Sequence, residues 1–394
     1  MKHLLLLSLL QVLADRISAN PLPNLGGGDG GLPSLSDLLD GIIPGLLDPG
    51  DDSGSGSGPG SSDPGSGTIP IPGSSPGSDY TLTWADEFDT PQTTYDGDSS
   101  SSLPSSEHWR LLTGTSYPSG APAWGNNELQ SYTTDTSNIH VTSESTLLIT
   151  PRYSDSTSQW TSGRIETSRT DFAASEGGKL YIESRLRTGC APTSQQVGIW
   201  PAFWALGETF REDPTRWPMA SEWDLVEVIN GQPTVYNTLH CGRETGEGGP
   251  CNEYTGLGNG GVSWSGCDWH VVGFEVDRSG SSLFSSASSA VSSSGSGSDS
   301  GSGFPGGSGW EEETLTWYLD GQATHRVSGA DVGDEEVWES IAHQGHFLLL
   351  NVAVGGNWPG YPDANTVDGE EVAMEVDYNL QGLSKVPVAA AAEA

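Results

Sequence analysis

The chain has 394 residues, of which 54 are Gly and 25 Pro. Its 52 acidic residues against 15 basic ones give a formal net charge of -37, and such a surface repels nucleic acid and anionic membranes. A neutral polysaccharide or a cationic partner remains compatible, and the charge also serves simply to keep the chain soluble.

Residues 1–19 run from a basic start, Met1-Lys2-His3, through the apolar stretch LLLLSLLQVLA to Ser18-Ala19. That is the layout of a secretory signal peptide, and the stretch is too short to span a bilayer. Residues 20–78 are rich in Gly, Ser, Pro and Asp, as in DPGDDSGSGSGPGSSDPGSG. They bury too little apolar surface to offset their ordering entropy, so they read as a disordered spacer. From residue 79 to 384 the texture changes. Short β-branched and aromatic runs recur between Gly, Asn, Asp and Ser: TLTWADEF, TLLITPR, GRIETS, KLYIESRL, SEWDLVEV, VYNTLH, HVVGFEVD, LTWYLDG, HFLLLNVAV and EVAMEVDYNL. No ten-residue stretch here has a convincing helical period, so the spacing predicts an all-β sandwich or barrel. Asp320-Gly321 after LTWYL is a hairpin signal. Residues 279–309 are a Ser/Gly-rich, low-complexity insertion between two strands, read as a loop grown out of a hairpin, because loop entropy rises only logarithmically with length. Residues 385–394 form a tail too short and too weakly apolar for a lipid-anchor signal. No segment suits membrane insertion.

Four cysteines, Cys190, Cys241, Cys251 and Cys267, imply two disulfides in an exported chain, with three connectivities open. Cys241 and Cys251 flank a Gly-rich loop, which favours pairing them and leaves Cys190 with Cys267. A zinc site is the competing reading, and it lacks any Cys-x-x-Cys pair.

The stretch SEWDLVEV places Glu222, Asp224 and Glu227 within six residues of otherwise strand-forming sequence. Alternate side chains of a strand share a face, so Glu222 and Asp224 point one way and Glu227 the other. If all three serve one site, an extra residue must be inserted at Leu225 or Val226, which is a β-bulge. Two carboxyls about 5 Å apart suit retaining glycoside hydrolysis, one attacking the anomeric carbon and the other protonating the leaving oxygen. The bland alternative is an edge strand with its acids in solvent; a calcium loop is a further option.

The surroundings favour the catalytic reading. SEWDLVE resembles the E-x-D-x-x-E signature of the family 16 glycoside hydrolases, in the laminarinase-like endo-β-1,3(4)-glucanase branch. WGNNELQSYT, SGRIETS, GIWPAFWALG, YNTLHCG, LTWYLDGQ and LLNVAVGGNWPG follow in the family's order, from about Tyr80 to Leu383. The resemblance implies a concanavalin-like β-jelly roll of two curved antiparallel sheets with a concave substrate cleft. It makes Glu222 the nucleophile, Asp224 the assisting acid and Glu227 the acid/base. Trp223 and Leu225 replace the usual small aliphatics, and Met219-Ala220-Ser221 precedes Glu222 where Gly is common; a Trp223 packed on the second sheet leaves catalysis intact.

Sugar CH faces stack on aromatic rings, and Trp124, Trp200, Trp204 and Trp358 fall in the family motifs. Trp124 and Trp358 are expected at the cleft and Trp204 near the acidic strand; for Trp200 and Trp204 a core role is as consistent with the alternation. Arg164 is placed to bond a substrate hydroxyl or the nucleophile, or to form a structural ion pair. His240 is placed to bond Asp224 or substrate, or to be a core histidine. Asn126 and Glu128 suit sugar hydroxyls or turn stabilisation. The expected activity is a secreted, retaining endo-β-1,3-glucanase acting as a monomer on β-glucan. Cell-wall transglycosylation and non-catalytic β-glucan binding are the alternatives. No cofactor is required, and the resemblance leaves a structural calcium open without naming ligands.

Overall fold

The computed structural model describes residues 80–89, 102–244, 248–280 and 309–384, all within the unit Pro64–Ala394. The expected signal peptide, the spacer, most of the 279–309 insertion and the tail lie outside the described residues.

Two eight-stranded sheets carry the fold. The first runs Leu257–Gly258, Thr234–His240, Glu222–Glu227, Ile199–Gly207, His346–Val354, Arg164–Thr167, Trp109–Leu111, with Val262–Ser263 attached to Thr234–His240. The second runs Gln322–Ser328, Thr314–Leu319, His270–Asp277, Lys179–Arg187, Met374–Ser384, Leu147–Ile149, Ile139–Val141, with Tyr80–Asp86 attached to Met374–Ser384. Every pairing within these two sheets is antiparallel, and many neighbours are far apart in sequence, as a jelly roll requires. A small third sheet, Ser131–Tyr132, Gln159–Ser162 and Arg152–Ser154, contains the one parallel pair among the described residues.

The sheets stack face to face through alternate residues. Trp223 from the acidic strand lies 4.8 Å from Phe274 of the second sheet, and Phe274 packs edge-on against Trp317. Leu225, Val226, Phe203, Leu348 and Leu350 are buried in the same layer. Each such side chain contributes roughly 1.5–3 kcal/mol on leaving water. Trp317 also donates its indole N–H to the Asp224 carbonyl at 2.8 Å, tying the second sheet to the acidic strand.

The Asp320-Gly321 turn closes a hairpin, both residues having positive φ (49° and 76°), as a two-residue type I′ connection demands. His270–Asp277 and Thr314–Leu319, the strands on either side of residues 279–309, pair antiparallel. Both disulfides have the expected pairing, Cys190–Cys267 and Cys241–Cys251. The longest helix among the described residues escapes the sequence reading: Glu335–Ala342, eight residues long, capped by Asp334, whose side chain accepts from the Val337 N–H. Val337, Trp338, Ile341 and Ala342 form its buried face, a helical spacing confined to a single short stretch.

Candidate active site

The acidic strand carries one extra residue. On one side Asp224 opposes Thr238 and Glu227 opposes Tyr236, so three steps on this strand match two on its neighbour. On the other side Trp204 opposes Asp224 and Phe203 opposes Val226, which locates the insertion at Leu225. The bulge resolves the conflict in the spacing. Trp223, Leu225 and Val226 are buried toward the second sheet, while Glu222, Asp224 and Glu227 share the opposite face. The Leu225 carbonyl, displaced by the bulge, accepts from Asn237 Nδ2 at 2.7 Å.

The same alternation on the flanking strands settles which tryptophans face the acids. Ile199, Phe203 and Ala205 are core, so Trp200 and Trp204 share the acids' face. Trp200 donates its N–H to Glu227 at 3.2 Å, and Trp204 donates to Asn351 Oδ1 at 2.7 Å. Trp358, 44% exposed, stands edge-on to Trp200 and to Tyr236 at 5.5 and 5.1 Å. Trp124 sits edge-on to Tyr132 at 4.9 Å and over the Arg164 guanidinium. Arg164 is only 5% exposed, gripped between the Trp124 and Trp204 rings at 4.6 and 4.9 Å. Its charge acts on both Glu222 and Glu128. Asn126 donates to Glu128 at 3.3 Å, and Gln130 donates to the other Glu128 oxygen at 2.6 Å. The Asn126 carbonyl also accepts from the Asn357 N–H, which joins the Trp124 loop to the Trp358 loop.

His240 lies opposite Glu222 in register. Its Nε2 stands 3.6 Å from Asp224 Oδ2, beyond hydrogen-bond range, and its Nδ1 is 2.8 Å from Glu253 Oε2. Two aromatic residues from loops had no signal in the motif reading. Trp217 donates to Glu222 Oε2 at 3.1 Å, and Tyr254, 65% exposed, stacks on Trp217. Tyr236 was discoverable, since it alternates with Thr238 and His240. Asn351 was also legible, as the one amide in the apolar run HFLLLNVAV.

Removal from water dominates the electrostatics. Burial lifts the Glu222 carboxyl above its ordinary value; the His240 charge, the Trp217 bond and Arg164 pull it down, while Glu253 pushes it up. Asp224, 2% exposed and crowded by Glu227, Glu222 and Glu253, is held well above the carboxylate range. Its Oδ2 has no hydrogen-bond partner. Glu227 is pushed up to about 7, chiefly by burial and also by the Glu222 charge, against the opposing pull of His240 and the Trp200 bond. For His240, burial favours the neutral ring, but the Glu253 bond and the charges of Glu222, Glu253 and Glu227 prevail and raise it to about 9. The site therefore combines an acid that holds its proton to near neutrality, an acid beside a cation, and between them a carboxyl whose proton affinity burial raises.

On the far sheet's outer face the acids are engaged by cations. Lys179 binds Glu275 and Asp277, Arg185 binds Asp377, and Arg187 binds Glu375.

Among solved structures, the chain is similar to the endo-1,3-beta-glucanase of Streptomyces sioyaensis, with 34% identity over 79% of this chain and 99% of that one, at a TM-score of 0.65. The chain belongs to the family 16 glycoside hydrolases. Within the family it falls in the laminarinase-like branch. This hydrolase is also similar to glucan endo-1,3-beta-glucosidase A1 of Niallia circulans, 27% identical over 75% of this chain, and to the beta-glucanase of Rhodothermus marinus, 26% identical over 71%. It spans 37% of the length of the first of these curated relatives and 78% of the second. No protein-family model matches the chain.

Proposed function

We propose that this hydrolase is a secreted, retaining endo-β-1,3-glucanase that also accepts mixed β-1,3/1,4-linked glucan. The observation that carries the reading is the bulge at Leu225, which turns Glu222, Asp224 and Glu227 to one face. In the first step Glu222 attacks the anomeric carbon while Glu227, protonated near neutrality, gives its proton to the departing oxygen. In the second, Glu227 takes a proton from water as that water displaces Glu222, so the β configuration returns. Asp224, its carboxyl held well above the ordinary range by burial and by its acidic neighbours, lies between the two and separates their proton affinities. Trp217, Trp200, Tyr236 and Trp358 offer ring faces and edges to an uncharged glucan.

In this reading the enzyme works as a monomer and no cofactor takes part. The leader-like residues 1–19 and the two disulfides support export. The test is reducing-sugar release from laminarin, lichenan, barley glucan and xyloglucan by the wild type and by Glu222→Gln. The expected result is release from the β-1,3-containing glucans and none from xyloglucan, with Glu222→Gln inactive throughout. Equal values for both proteins on laminarin would contradict a catalytic role. Products longer than the substrate would indicate transfer in place of hydrolysis.

A further inference from the structure

The fourth carboxylate of the site comes from a loop that no motif marked. Cys241 follows His240 directly, and its disulfide to Cys251 closes a loop that returns the chain beside the acidic face. Glu253, two residues beyond, is nearly fully buried there. One of its oxygens accepts from the Cys241 N–H at 2.9 Å, and the other lies 2.8 Å from His240 Nδ1. A carboxylate only accepts, so Nδ1 carries the proton. The ring is thereby fixed with Nε2 facing Asp224 Oδ2 at 3.6 Å, and Trp217 lies against it at 5.8 Å.

We propose that Glu253 is a positioning residue for the glucanase reaction, holding His240 as an imidazolium that faces Asp224 and tunes the two glutamates. The inference deepens the hydrolase reading and rests on it. The charged groups acting on the ring are Glu253 from the loop and Glu222 and Glu227 from the acidic strand; the Asp224 carboxyl faces it, and Arg164 also acts on Glu222. The imidazolium favours the ionised form of both Glu222 and Glu227. At Glu222 its pull exceeds the opposing push of Glu253, so the histidine–glutamate pair lowers that carboxyl as a unit. Without Glu253 the buried ring loses its principal support and becomes neutral. Glu222 then ionises only at higher pH, and Glu227 keeps its proton to higher pH. Both limbs of the rate profile shift the same way, whereas loss of mere structural support would lower the rate without moving the limbs.

The experiment is a pH titration of His240 by NMR in the full-length, histidine-labelled protein, wild type and Glu253→Gln, together with kcat/KM on laminarin against pH. In the wild type His240 should stay protonated to near pH 9. In Glu253→Gln it should titrate lower by about 2–3 units, within the range for a lost carboxylate partner, and both limbs should move up in pH. Glu253→Asp should recover part of each shift. A wild-type His240 that titrates at or below its ordinary 6.5, or a titration and limbs unchanged in Glu253→Gln, would overturn the proposal. The wild-type titration decides even if Glu253→Gln does not fold. If the wild type releases no sugar at any pH, the hydrolase reading fails, while the titration still reports on the Glu253–His240 contact.

Discussion

His240 and His346 stand on opposite faces of one sheet and are driven in opposite directions. His346, fully buried and stacked on Trp223 at 3.5 Å, is pushed down to about 3 by burial. Its Nδ1–H donates to the Gln344 carbonyl, and its Nε2 accepts from the Ser221 hydroxyl at 2.6 Å. Ser221 stands at φ 61°, in the left-handed region that favours glycine; the hydroxyl's bond to His346 is what a serine adds there. Among the acids, Glu227 sets the pH behaviour. It must be protonated to donate, so kcat/KM should fall as pH rises through about 7. Glu222 must be ionised to attack, so activity should also fall as pH drops through its raised value. Glu227→Gln should lower kcat on laminarin about 10²–10⁴-fold and abolish the limb near 7; initial rates between acid and alkaline pH check both. Two indoles enclose the Arg164 guanidinium, and its charge lowers the Glu222 carboxyl.

In the acidic strand, the bulge was legible because the spacing of the three acids contradicts strict alternation. Glu222, Asp224 and Glu227 can share a face only if one residue is extra, and the apolar Leu225 and Val226 are the pair a core can take. Trp217, Glu253 and Tyr254 were not legible, because they reach the site from loops, where no periodicity reports direction. The helix Glu335–Ala342 was missed for a related reason: two turns give too few repeats of the helical period to stand out. The parity argument has a direct test in variants of strand length. Deleting Leu225 leaves the acids at alternate positions and keeps them on one face. It also leaves Asn237 Nδ2 without its carbonyl partner, at a loss of about 1–3 kcal/mol. Inserting one alanine after Val226 turns Glu227 toward the Phe274 layer and should reduce activity at least about 10²-fold. The deletion variant should thus melt lower than wild type yet outperform the insertion variant in kcat/KM; the opposite ranking of activities would contradict the parity argument.

Across the molecule, the two disulfides differ in what they support. Cys190–Cys267 spans 77 residues and Cys241–Cys251 spans 10. Chain entropy alone assigns them about 4.5 and about 3 kcal/mol. The short loop, however, seats Glu253 beside His240. Replacing Cys190 and Cys267 by serine should lower the melting temperature more, with kcat/KM nearly intact in the folded protein. Replacing Cys241 and Cys251 should lower it less and reduce kcat/KM more; calorimetry and laminarin kinetics on the two double variants give the comparison. The sandwich itself was readable from strand spacing, since ten short apolar runs with turn residues between them leave little room for another class. The small third sheet was not, because its strands are two to four residues long and carry no pattern of their own.

The bulged strand matters functionally only if Glu222 and Glu227 act on one glycosidic bond in two displacements. Proton NMR of laminarin hydrolysis in its first minutes reads this directly from the anomer released, before mutarotation mixes the forms. Double displacement predicts that the β-anomer appears first and the α-anomer grows in later. An initial α-anomer would mean a single inverting displacement by water, with Glu222 no nucleophile and Glu227 no partner to a covalent intermediate.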